Sequence, residues 1–293
     1  MNKLLGIIRL LRIEQWIKNI FIFLPLFFDK KIFEIAYLIP VCFVAMYFSL
    51  TSSIVYIIND IRDIDADRKH PKKFKRPLAA NVLSTPIAYL IILFLIVIKV
   101  LLFLYNFVEL KVLYIIEFYF IINILYTFIL KKYAIVDVTI IALGFTLRVL
   151  SGGFAVDIEL SKWILIMSFL ITLLLAFAKR RNDCSLLLET GQKMRQNSDQ
   201  YSLDFINNAM SIIASITIVA YLQYCLDPKT IEHYGTDMIY ITFIFVLLGI
   251  LRYLQIAIVK NDTGSPTKLM YKDRFLQICI FLYIIVYCVL IYA

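Results

Sequence analysis

Asn59 is followed by four aspartates, Asp60, Asp63, Asp65 and Asp67, and then at once by Arg68, Lys69, Lys72, Lys73, Lys75 and Arg76. In a chain that is 62% hydrophobic, so dense a charge run calls for a charged ligand. Wound as a helix, Asn59, Asp60, Asp63 and Asp67 stand at i, i+1, i+4 and i+8 and share one face, which leaves Asp65 elsewhere. Like charges stacked this way destabilise a bare helix by a few tenths of a kcal/mol per pair, and a hard divalent cation removes that penalty. Mg²⁺ takes one or two carboxylates, keeps waters and completes its octahedron with phosphate oxygens. Asp60, Asp63 and Asp67 are therefore expected to hold Mg²⁺ and a phosphorylated substrate, with Asn59 beside them. The lysines and arginines that follow would take the phosphate charge that the metal leaves uncompensated. A solvated acidic and basic loop is the plain alternative; the shared face at the end of a long apolar helix favours metal and phosphate.

The elements that must position this stretch are membrane helices. At 293 residues, with mean hydropathy +0.84 and 17% charged residues, the chain has apolar segments too long and too many for a soluble domain. Lipid admits only helices or closed barrels, and the alternating pattern of barrel strands is absent, so the expected fold is all-α and polytopic. Residues 1–14, with Lys3, Arg9 and Arg12 among leucines and isoleucines, read as an interfacial amphipathic helix, and no cleavage site follows to suggest a signal peptide. Spans are expected near 15–33, 35–58, 86–106, 109–130, 134–156, 160–179, 206–226, 236–257 and 274–292. They make one domain over 1–293, nine helices around a cavity open to the cytoplasm, with catalytic loops at 59–85 and 180–205. The five cysteines are scattered without metal spacing and read as packing residues.

Counting basic residues by loop gives 22 on the side of the N-terminus and 6 on the other, with Arg148 and Arg252 inside spans. The positive-inside bias then places the N-terminus and the aspartates on the cytoplasmic side of a prokaryotic cytoplasmic membrane, and the C-terminus outside. The net charge of +9 is thereby a topological signal plus a site, and no nucleic-acid partner is expected. The sequence admits a homo-oligomer without setting the oligomeric state.

A second charged cluster, Lys179-Arg180-Arg181-Asn182-Asp183, ends the sixth expected span as the aspartates end the second. The two suggest walls of one cavity, with Lys179, Arg180 and Asp183 on the second. Charge at depth is costly unless it faces a wet cavity, which singles out Lys18, Asp137, Arg148 and Arg252. Lys18 can snorkel to the interface or bind phosphate. Arg148, followed by Ser151-Gly152-Gly153, reads as a substrate contact, with pairing to Asp137 as the structural alternative. Asp273 either favours the positive end of the last helix or holds a cap over the cavity.

Asn59-Asp60-x-x-Asp63-x-x-x-Asp67 on a chain of nine expected membrane helices resembles the first motif of the UbiA-type intramembrane prenyltransferase superfamily. That superfamily usually carries a second aspartate-rich motif after its sixth helix. This chain has Lys179, Arg180, Arg181 and a lone Asp183 there. It is similar to a narrower branch, the decaprenyl-phosphate phosphoribosyltransferases of actinobacterial arabinan synthesis. The likeness runs through Gln15-Trp16-Ile17-Lys18-Asn19, Asp67-Arg68-x-His70-Pro71, Lys73, Arg76-Pro77-Leu78-Ala79 and Leu147-Arg148-Val149-Leu150-Ser151-Gly152-Gly153. It continues at Lys179-Arg180, Gly191-x-Lys193-x-Arg195, Leu251-Arg252-Tyr253, Gly264-x-Pro266 and Lys272-Asp273-Arg274.

The resemblance implies transfer of 5-phosphoribosyl from phosphoribosyl pyrophosphate to a polyprenyl phosphate, with Mg²⁺ as cofactor and pyrophosphate released. Asp60, Asp63 and Asp67 would serve metal and pyrophosphate, Lys73 and Arg76 the donor phosphates, and Lys179, Arg180 and Lys18 the 5-phosphate or the acceptor phosphate. A phosphate monoester with a second pKa near ~6 is already mostly dianionic at neutral pH, so His70 is not needed as a base. In-line attack predicts inversion at C1. An aromatic prenyltransferase is the nearer rival and predicts a second acidic motif; a transporter would show Gly or Pro breaks at mid-membrane, and Gly and Pro number only 8 and 7.

Overall fold

The computed structural model describes residues 3–69, 73–191, 197–259 and 272–292; His70, Lys72, Lys193, Arg195, Gly264 and Pro266 lie outside these ranges. The described residues form helices and turns, and no strand is found among them. The chain divides into two compact units, Met1–Leu130 with Gly144–Leu160, and Lys131–Leu143 with Ser161–Ala293.

The first unit holds α1 (Lys3–Leu11), a 3-10 helix (Ile13–Phe23), α2 (Leu24–Phe28), α3 (Ile35–Arg62), α4 (Ile64–Lys69), α5 (Thr85–Leu104), α6 (Leu110–Phe128) and the later part of α7 (Val136–Phe154). The second holds the earlier part of α7, then α8 (Lys162–Thr190), α9 (Leu203–Leu226), α10 (Pro228–Tyr234), α11 (Phe243–Ile258) and α12 (Arg274–Tyr292). Among the described residues, eight helical segments are long and apolar enough to cross a bilayer. The span expected at 15–33 is not one continuous α-helix. It winds as 3-10 through Phe23 and restarts as the short α2, with Pro25 in its first turn. A 3-10 run of 11 residues is long for that geometry, and packing against α3 holds it.

Helices α3 and α8, with 28 and 29 residues, are the longest. At 1.5 Å per residue each runs roughly 42–44 Å, well beyond a hydrocarbon core of ~30 Å. The surplus length of α3 carries Asn59 and Asp60, and that of α8 carries Lys179 to Asp183. The loop expected at 180–205 is therefore helical as far as Thr190, because Arg180 to Thr190 contains neither Gly nor Pro. Gly191, at φ +69°, ends the helix and donates its N–H to Leu187 O.

Within the first unit α3 presents buried Ser49, Thr51, Ser52 and Ser53. Ser49, Thr51 and Ser52 return their hydroxyls to carbonyls of their own helix. Small side chains of this kind let a neighbouring backbone come close in a membrane. The 3-10 helix uses that surface: Trp16 Nε1 donates to Ser53 Oγ at 3.1 Å, Asn19 Nδ2 donates to Ser49 Oγ at 2.6 Å, and Ser53 Oγ donates to Leu11 O. On its other side the stretch meets α7, where a Cβ on Gly152 would lie 1.8 Å from Ile22 O. The Ser-Gly-Gly run after Arg148 is thus a backbone contact. Lys99, counted above with the opposite-side loops, lies inside α5, where its ammonium pairs with Glu117 of α6 at 2.8 Å and stands over the Tyr47 ring.

Candidate functional site

Two of the aspartates converge. Helix α3 ends at Arg62, Asp63 forms the turn, and α4 carries Asp67 back so that one nitrogen of Arg76, Nη1, reaches Asp60 at 3.1 Å and Asp67 at 2.6 Å. Both carboxylates are buried, and Asp60 also binds Arg12. Asp63 and Asn59 are half-buried, and the Asp63 N–H donates to Asn59 O at 3.0 Å. Asp65, with its side chain 94% exposed, points elsewhere as the helical spacing predicts. Lys73 begins a 3-10 turn whose carbonyl accepts from Arg76 N, which fixes where the guanidinium leaves the backbone. Among the described residues no group of three or more His, Cys, Asp or Glu side chains is gathered for a metal. Two converging carboxylates nonetheless meet what Mg²⁺ asks of a protein when phosphates and waters supply its other ligands, so the residues fit a substrate-borne ion.

Arg12, expected on an interfacial helix, is a counter-ion of Asp60. Its backbone sits in the left-handed region at φ 51°, at the joint between α1 and the 3-10 helix, and its guanidinium lies over Tyr56. Lys18 is half-buried on the same 3-10 helix. Arg148 itself is only 4% exposed. It donates to Asn19 Oδ1 at 2.8 Å, to Gly144 O at 2.7 Å and to Tyr119 OH at 3.3 Å, and it is enclosed by the rings of Phe48, Tyr119 and Phe145. Asp137 does not pair with it. Among the described residues no carboxylate pairs with either Lys18 or Arg148.

In the second unit, Asp137 pairs with Arg180. The Nε to Oδ2 distance is 2.5 Å, with both side chains almost wholly buried, and Arg180 Nη1 also reaches Asp183 at 3.3 Å. Tyr201 donates its hydroxyl to Asp137 Oδ1 at 2.7 Å and accepts from Ile135 N at 2.7 Å. Burial, and then the bond to Asp137, push the Tyr201 phenol above its ordinary range, so it stays a donor at neutral pH. Ile135 is a β-branched residue at φ +67°, a strained conformation that this bond helps to hold. Lys179 is exposed at the same level of α8, while Arg181 turns inward to Asn207 and the carbonyl of Ile258. Asp273 binds Arg252 at 2.7 Å and also accepts from Leu276 N, so it both starts α12 and ties it to α11.

Sequence reasoning gives no site role to Arg12, Asn19, Tyr119 or Tyr201, although Asn19 closes the Gln15-Trp16-Ile17-Lys18-Asn19 stretch that carries the family likeness. Removing one member of a buried ion pair destabilises by roughly 3–5 kcal/mol. Asp137→Asn is accordingly expected to lower the thermal midpoint of the detergent-solubilised protein, whereas Asp183→Asn, at the partly exposed end of the same network, should change it far less.

Long apolar helices whose surplus ends carry paired carboxylates and guanidiniums define an integral membrane protein with charged groups at its helix ends. A family model described as the UbiA prenyltransferase family matches residues 30–285, and the chain belongs to that family. Decaprenyl-phosphate phosphoribosyltransferase of Mycolicibacterium smegmatis is 31% identical over 289 residues, covering 94% of this chain and 89% of that protein. The protein of the same name in Corynebacterium glutamicum is 30% identical, covering 93% and 82%. A UbiA homolog from Archaeoglobus fulgidus solved bound to GPP and Mg²⁺ superposes with a TM-score of 0.72 at 18% identity, over 98% of this chain and 100% of that one.

Proposed function

We propose that the protein transfers 5-phosphoribosyl from phosphoribosyl pyrophosphate to a polyprenyl phosphate on the cytoplasmic side of the membrane, releasing pyrophosphate. The observation that carries the reading is a likeness to relatives of that name spanning nearly the whole chain, joined to a second charged cluster that is basic where a prenyl diphosphate site would be acidic. The donor bears a diphosphate at C1 and a monoester at C5, so it presents more anionic charge than a prenyl diphosphate.

Held by Asp60, Asp63 and Asp67, Mg²⁺ would offset the charge growing on the departing pyrophosphate. Arg12 pairs with Asp60, and Arg76 with Asp60 and Asp67, so both guanidiniums stand beside carboxylates assigned to the metal. Arg76 and Lys73 are assigned to its phosphates, Asn59 to orientation of the ribose or of a metal-bound water, and Lys179 and Arg180 to the remaining phosphate charge. As the C1–O bond to pyrophosphate breaks, the leaving group takes the electron pair. An oxygen of the acceptor phosphate, already ionised, then bonds C1 from the opposite face, with no general base required.

The test is a detergent-reconstituted assay with radiolabelled phosphoribosyl pyrophosphate, a polyprenyl phosphate and Mg²⁺, beside an Asp63→Ala control. Label is expected in the organic phase only with metal and the intact aspartate. Consumption of a prenyl diphosphate with an aromatic acceptor, and no movement of label, would replace this reading with aromatic prenyl transfer.

A further inference from the structure

The turn that carries Arg76 is gripped from its far limb by the residue next to Asp67. Asp67 and Arg68 are neighbours on the short helix α4, and they leave it toward two parts of one turn. Asp67 meets Arg76 Nη1 at 2.6 Å. Arg68 passes to residues 79–81, where Nη2 donates to Asn81 Oδ1 at 2.9 Å and Nε to Ala79 O at 3.4 Å, while Nη1 stands 3.5 Å from the exposed Asp65. A guanidinium has donors only, and each of these three nitrogens faces a protein oxygen.

Between these two grips the backbone is tied to itself. Arg76 O accepts from Ala80 N at 2.8 Å, Asn81 N donates to Leu78 O at 3.2 Å, and the N–H groups of Val82 and Leu83 both reach Pro77 O, at 2.9 and 3.2 Å. Leu78, Ala79 and Leu83 are buried. Asn81 stands at φ 56°, in the left-handed region that asparagine enters more readily than most residues with a side chain. It therefore closes the turn and offers Arg68 an acceptor at the same time. A displacement at 79–81 is carried to Arg76 through the bond from Ala80 N to its own carbonyl. Arg76 Nη1 lies 3.1 Å from Asp60 and 2.6 Å from Asp67, so a shift of about 1 Å would take it out of hydrogen-bond reach of both.

We propose that Arg68 is a positioning residue of the donor site: through Asn81 and the Ala79 carbonyl it fixes the turn that aims Arg76, and so sets the affinity for the donor's pyrophosphate without touching it. The proposal rests on the phosphoribosyl-transfer reading above, in which Arg76 holds the donor phosphates. It adds the two residues that decide where that guanidinium points. An exposed ion pair contributes little, so the contact with Asp65 is not what Arg68 is needed for; the two bonds to the turn are.

The test uses the full-length protein in detergent, with KM measured separately for phosphoribosyl pyrophosphate and for the acceptor. Arg68→Gln and Asn81→Gly remove the two ends of one bond, and glycine keeps the left-handed backbone. Each is expected to raise the donor KM by about five- to thirtyfold, with kcat and the acceptor KM changed less than about twofold. The double variant should be little worse than either alone, because both substitutions break the same contact. Asn81→Asp keeps an acceptor oxygen and should leave the donor KM near its original value. Asn81→Gly exchanges one neutral residue for another, so its effect does not come from a lost positive charge. A donor KM raised by Arg68→Gln but not by Asn81→Gly would mean that Arg68 binds the donor itself, and would overturn the proposal. So would a lower kcat and thermal midpoint with both KM values unchanged, the result of a purely structural tie. If the unsubstituted protein transfers no label at all, the phosphoribosyl reading fails. The positioning role is then decided by calorimetric binding of pyrophosphate with Mg²⁺: equal weakening in the two variants supports it, and binding that is absent or unchanged overturns it.

Discussion

Asp60→Asn is expected to lower kcat/KM for transfer by about a hundred- to thousandfold, the scale seen when one preorganised electrostatic group is removed from a site where charge develops. Under the proposed function Asp60 would offer a charged oxygen to the metal, and it is the common anion of Arg12 and Arg76; asparagine can do neither. With that charge gone the two guanidiniums face each other across a neutral amide, so the loss should not be recovered by raising Mg²⁺. The matching control is Asp65→Asn, whose side chain is almost wholly exposed and meets the exposed Arg68 at 3.5 Å. Surface pairs of this kind contribute little, and Asp65→Asn should keep its activity and its Mg²⁺ titration. An Asp60→Asn protein with full activity, or an Asp65→Asn protein with none, would show that the convergence of Asp60 and Asp67 is not where the metal and pyrophosphate bind.

Gly152→Ala should be the most disruptive single methyl group in the first unit. The new Cβ would lie 1.8 Å from Ile22 O, a backbone atom that cannot rotate aside as a side chain can. Overpacking typically costs about 1–3 kcal/mol, and a backbone clash of this depth belongs at or above the upper end. The 3-10 helix carrying Lys18 and Asn19 must move away from α7, which breaks the Asn19 bond to Arg148. The expected result is a marked fall in the thermal midpoint, with a change in the fluorescence of Trp16, together with loss of transfer. Gly249→Ala is the comparison: its Cβ would meet Cys279 at 4.0 Å, an ordinary contact, and alanine favours the helix by about 1 kcal/mol over glycine. Equal behaviour of the two variants would mean that residues 13–23 do not rest on α7 at that distance.

What could be read from the residues alone was whatever depends on composition and on short range. Apolar runs fix spanning segments because lipid leaves the backbone no other partner, and all eight of the long segments start and end within a few residues of the expected bounds except α8. Asp65 stays apart from Asp60 and Asp67 as the spacing predicts, but the helix is interrupted at Asp63, and the convergence of Asp60 and Asp67 on Arg76 depends on that turn. The family was legible because a motif in fixed order along one chain is a local fact.

Pairing across the chain was not legible. Asp137 could have met Arg148 or Arg180, and only the packing of α7, α8 and the Tyr201 turn decided for Arg180. Arg12 gave no sign that it belongs to an aspartate 48 residues later, because an ion pair between distant residues leaves no periodicity in either segment. The first span broke its expected form where Ser49, Ser53 and Gly152 let its backbone approach two helices at once, and that closeness is a property of the assembled unit. Type and spacing thus set which residues could carry charge into the membrane. Tertiary structure set which charges were neutralised there.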